Sequence, residues 1–93
     1  MSDVSKIRNF LTKKRDKFQG WAIEAVAETV GQKVGEAVRS LGIQNDTITR
    51  SLVAQGVKAL NFLVMILNNL IRAVETLKTM ADVVKKIVEK ILE

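Results

Sequence analysis

The stretch ALNFLVMILNNLI, residues 59 to 71, decides how this chain folds. It holds thirteen residues without a charge, between Lys58 and Arg72. Ten of them are apolar, and the other three are Asn61, Asn68 and Asn69. As a helix the stretch spans ~20 Å against ~30 Å of bilayer hydrocarbon, and its asparagines raise the cost of insertion. A simple membrane span is therefore not expected. No signal peptide is read either, because charge recurs through Lys17 without an apolar run, so localisation stays undetermined. Around the helix axis, the apolar side chains from Leu52 to Ile71 spread over roughly 220°. A helix apolar on that much of its surface is buried from more than one side. The rest of the chain supplies one wall, and a second copy is the economical source of another. Phe62, Leu63, Ile66, Leu67, Leu70 and Ile71 are accordingly expected at an oligomer interface.

The rest of the chain favours helices throughout. Ninety-three residues fit one domain, 47% of them are hydrophobic, and Pro, Cys, His and Tyr are all absent. Such a composition lacks the turn residues that a sheet protein needs. The clearest punctuation is SLGIQNDTIT, residues 40 to 49. There Gly42 can end a helix in the left-handed conformation, Ile43 can pack back, and Asn45 or Asp46 can cap the next helix. The expected fold is all-α: an antiparallel hairpin of helices at about 3–41 and 47–92, joined by a turn at 42–46 and completed by oligomerisation. Gly20 and Asn68-Asn69 are candidate kinks, which would turn the hairpin into a bundle of three or four helices.

Two apolar patterns complicate that hairpin. In the first helix Val4, Ile7, Leu11, Phe18, Ala22 and Ala25 share one arc, whereas Val26, Val30, Val34, Ala37 and Leu41 share another, turned by roughly a third of a circle. One straight neighbour does not readily cover both. Toward the C-terminus, Leu70, Val74, Leu77, Ala81, Val84, Val88 and Ile91 run at 4-3 spacing, a coiled-coil seam with the charges outside it.

Three features suggest contacts. Net charge is +5, and residues 1–20 hold +4 of it, from Lys6, Arg8, Lys13, Lys14, Arg15 and Lys17 against Asp3 and Asp16. Phe10, Lys14, Lys17 and Trp21 follow one helical edge, with Lys6 and Lys13 beside it, and these six with Arg15 are the expected contact residues. Cations interleaved with aromatics suit nucleic acid or an anionic lipid surface, and equally a plain solvated face. Gly20, Ala27, Gly31 and Gly35 form a small-residue strip that would admit a close helix neighbour. Lys58, Asn61, Met65, Asn68 and Arg72 form a mostly polar stripe, most simply an exposed face.

Catalysis finds little support. Without His, Cys or Tyr the available groups are carboxylates, Lys, Ser and Thr. Glu24 and Glu28 share a face, but no His accompanies them as in helical di-metal sites. No Gly-rich phosphate loop precedes a Lys-Ser or Lys-Thr. Neither a catalytic residue, a metal site nor a cofactor is expected. The sequence points to a non-enzymatic, self-assembling structural subunit of coat or filament type, its basic N-terminal segment facing nucleic acid or anionic lipid. The rivals are a small dimeric helical nucleic-acid-binding protein and a membrane-active amphipathic one.

Overall fold

The computed structural model describes residues 3–93, and every regular element among them is a helix. The order is α1 (Asp3–Ile23), α2 (Val30–Ser40), α3 (Asp46–Gln55) and α4 (Val57–Ile91). The chain is all-helical, as expected, but neither long helix is continuous. The breaks fall at residues 24–29 and at Gly56, while Gly20 and Asn68-Asn69 lie inside unbroken helices.

The first break has a physical cause visible in the apolar pattern. The two arcs of the N-terminal half change over between Ala25 and Val26. The chain leaves helical geometry at that point and re-enters it at Val30, whose N–H bonds to the Val26 carbonyl at 3.0 Å. Each arc then meets its own neighbours: Leu11 and Phe18 are buried from α1, and Val34, Ala37 and Val38 from α2. Bending the chain buries both stripes where a straight helix could bury one. The second break is Gly56, at φ 59° and ψ −127°, a region that side chains with a Cβ rarely adopt.

The expected turn is built as the residues dictate. Gly42, at φ 81°, donates to the Arg39 carbonyl and Ile43 donates to the Val38 carbonyl, the paired bonds of a Schellman ending. Ile43 packs against the core beside buried Val38. Asn45 is the cap of α3, its side chain accepting from the Ile48 N–H at 3.0 Å.

The main pairing joins α1 to α4. The Arg8 Nε donates to Glu75 Oε1 at 2.9 Å, and an Arg15 guanidinium nitrogen donates to Asn68 Oδ1 at 3.1 Å. One partner number rises while the other falls, so the two helices run antiparallel. Both pairs lie seven residues apart on each helix and flank the seam of Leu11 and Phe18 against α4. The α2–α3 pair closes one end of this seam, with Val34 and Val38 joining Leu60, Leu63 and Leu67 in one core. The whole molecule is 63 Å long but only 25 by 19 Å across.

Candidate functional site

The antiparallel register leaves part of α4 without a partner. Residues 8 and 15 of α1 face residues 75 and 68 of α4, so α1 begins opposite about residue 80. From Glu75 to the end of the chain every residue is exposed. The apolar side chains there nevertheless persist: Leu77, Met80, Val83, Val84, Ile87, Val88 and Ile91 are all 46–76% exposed.

These side chains continue an outward stripe that starts inside the folded body. At 100° per residue, Leu60, Leu63, Leu67, Ile71 and Val74 face α1 and α2. Phe62, Ile66, Leu70, Ala73, Leu77, Met80, Val84, Ile87 and Ile91 follow a second line, turned roughly 110° away. From Lys78 onward, as α1 runs out, the side of α4 that had faced it is polar, through Lys78, Asp82, Lys85 and Glu89. The outward line stays apolar. It is thus a second face of α4, distinct from a continuation of the intramolecular one.

Of the six residues expected at an oligomer interface, the structure places three in the chain's own core: Leu63, Leu67 and Ile71, at 3, 2 and 6% exposure. Phe62 and Leu70 stand half exposed on the outward stripe, and Ile66 is partly buried beside them. The extra inner wall comes from α2, which the sequence reading had aligned with α1 in one straight helix. Met80 and Ile87 extend the stripe and were missed. The 4-3 seam read from sequence passes through Val74, Ala81 and Val88 on their other side.

The second exposed face belongs to α1. Lys6, Phe10, Lys13, Lys14, Lys17 and Trp21 lie within roughly 100° of arc. The Lys14 ammonium sits 5.4 Å from the Phe10 ring centre, and Lys17 sits 5.1 Å from that of Trp21. Lys33 of α2, not anticipated for this face, approaches the same Trp21 ring to 4.7 Å. Arg15 does not join them. It points to the opposite flank, bonded to Asp16 and Asn68.

The small-residue strip does not exist as a strip. Ala27 lies exposed in the break between α1 and α2, and a Cβ on Gly20 would meet nothing within 4 Å. Only Gly31 receives another helix, a Cβ there lying 3.3 Å from the Val53 side chain of α3. Gly35 is buried beneath the guanidinium of Arg39, four residues along its own helix. In the polar stripe, Lys58, Asn61, Met65 and Arg72 are exposed, and Asn68 is half buried against α1.

Among the described residues no three His, Cys, Asp or Glu side chains gather as a metal site, and no polar or charged side chain is buried. A groove between α1 and α4, bordered by Ser5, Arg8, Asn9, Glu75 and Lys78, is open, and its Arg8 and Glu75 are already paired. Within α4, an eighteen-residue window of mean hydropathy 1.5 makes the helix long and apolar enough to cross a membrane by length and composition. The charge-free stretch of thirteen residues is too short to span, but the helix that contains it runs for 35 residues. Part of that window, 28%, is buried inside the molecule. Comparison with protein-family models, curated proteins and solved structures finds no match.

Proposed function

We propose that this chain is a non-enzymatic structural subunit that self-assembles through the outward stripe of α4. The observation that carries the reading is the stripe's continuation past the end of α1, where nothing among the described residues covers it. Exposed apolar surface of that extent marks an interaction site.

A second copy is the occupant the pattern favours. Leu70, Leu77, Val84 and Ile91 recur every seven residues, the register in which helices of one kind interlock. Residues 75–93 carry four lysines and four carboxylates, so the charged side neither repels a like copy nor calls for a partner of opposite sign. The hairpin of α1 and α4 is then completed by neighbours, as a coat or filament subunit would be. Its basic α1 remains on the outside.

Sedimentation equilibrium tests the reading. The wild-type mass should be a multiple of 10.3 kDa that rises with concentration. Val84→Lys with Ile87→Lys should reduce it to the monomer while the α1–α4 core stays folded. A wild-type chain that remains monomeric at about millimolar concentration, where even weak association of about −4 kcal/mol would show, overturns the proposal.

A further inference from the structure

We infer that the outer face of α1 is a docking surface for an anionic lipid bilayer, an inference that goes beyond self-assembly and does not depend on it. Both polyanions the sequence suggested, nucleic acid and lipid, would be drawn to the charge of this face. Its geometry separates them.

Nucleic acid is held best by arginine forks on phosphates and by open aromatic faces on which bases stack. This face offers no arginine fork, and its exposed ring, Phe10, has the Lys14 ammonium 5.4 Å from its centre. The two arginines of α1 are committed on the other flank, Arg8 to Glu75 at 2.9 Å and Arg15 to Asp16 and Asn68 at 3.1 Å. The Trp21 ring is stacked on Phe18 with centres 5.7 Å apart, and two ammonium groups lie over it. What the face does present is lysine beside exposed hydrocarbon. Ile7 and Phe10 are each 50% exposed, next to Lys6, Lys13 and Lys14.

A bilayer surface uses both. Lysine stems reach along an apolar face while their ammonium groups stay among anionic headgroups. Ile7 and Phe10 enter the boundary of the acyl chains, as on helices that lie in the membrane plane. From Lys6 to Lys17 the face runs ~16 Å, so several headgroups fit beneath one subunit.

Cosedimentation with vesicles tests this. The wild-type chain should bind vesicles of mixed phosphatidylcholine and phosphatidylglycerol at low salt, and release at high salt. Vesicles of phosphatidylcholine alone should bind far less. Lys6→Gln, Lys13→Gln and Lys17→Gln together should weaken binding about a hundredfold, from roughly fivefold per lysine. Phe10→Ser keeps the charge and should still weaken binding several-fold, and Ile7→Ser should do the same. Both positions are exposed, and circular dichroism on each variant checks that it is folded. Equal binding to neutral vesicles, no binding to either kind, or tighter binding to duplex DNA with no loss in Phe10→Ser overturns the inference. Mass measured in the same samples keeps the two readings apart. A monomer that binds vesicles defeats only self-assembly, and an oligomer that ignores them defeats only the lipid face.

Discussion

Phe62 and Leu67 stand five residues apart on α4 and about 140° apart around it, and the structure gives them opposite duties. Leu67 is 2% exposed among core residues of the same chain, and Phe62 is 46% exposed on the outward stripe. Leu67→Ser removes buried hydrocarbon and leaves a hydroxyl without a partner, so it should cost at least ~3 kcal/mol, a large share of what a domain this small has. Phe62→Ser should leave stability of the monomer nearly unchanged and lower the assembled mass. Urea titration of both, run beside sedimentation, reads the difference; equal destabilisation by the two would place Phe62 inside the fold. Gly56 is a separate case. Its backbone conformation suits glycine alone, so Gly56→Ala should cost ~1–3 kcal/mol and weaken the end of α3, although a methyl group there meets only the Val30 side chain at 3.6 Å.

At the scale of elements, α4 divides in two. Up to about Thr79 it is held by α1 and α2, whereas the last twelve helical residues, Met80 to Ile91, are all exposed, and of them only Asp82 borders the groove shared with α1 among the described residues. A helix that short is marginal in water on its own. Its amides should therefore exchange with solvent almost freely in a dilute sample and become protected as concentration rises. Truncation after Thr79 should preserve the thermal transition of the core while abolishing assembly. If the shortened chain kept its wild-type mass, the interface would have to be elsewhere. The same division explains what was legible in the sequence. All-helical character followed from composition, and Gly42 and Asn45 announced a turn that the structure contains. The apolar excess of residues 59–71 was also visible, but its split between core and surface was not. That split depends on the break at 24–29, which no proline or glycine marks. Only the shift between two apolar arcs signalled it, and a shift says that a straight helix is awkward without saying where the chain turns. Gly56 carried a plainer signal, hidden because strong helix formers flank it. On α1, spacing alone grouped Phe10, Lys14, Lys17 and Trp21, but Arg15 was counted with them by proximity in sequence. One hundred degrees per residue carries it to the far side, where Asn68 receives it.

For the whole molecule, the two exposed faces should answer salt in opposite ways, and that contrast separates assembly from electrostatic attachment. Residues 1–20 hold +4 of the net charge, so whatever α1 binds through its lysines should weaken as counterions screen it. The α4 tail has no net charge to screen, and burial of apolar surface strengthens in salts that are excluded from protein. Assembly should therefore hold or tighten as sulfate is added, while attachment to anionic vesicles fades. The breadth of the stripe bears on how many copies join. In the tail, Leu77, Val84 and Ile91 are flanked on one side by Met80 and Ile87, and on the other by Ala81 and Val88. A two-stranded coil covers a narrow seam and normally sets charges along its edges. Here both edges are apolar, and the charges lie farther round. A pair of helices would leave one edge in water, so three or more copies should gather about the tail. Sedimentation at high sulfate should give a mass of at least three times 10.3 kDa. A dimer that falls apart as salt rises would show that charge, not the apolar stripe, holds the copies together.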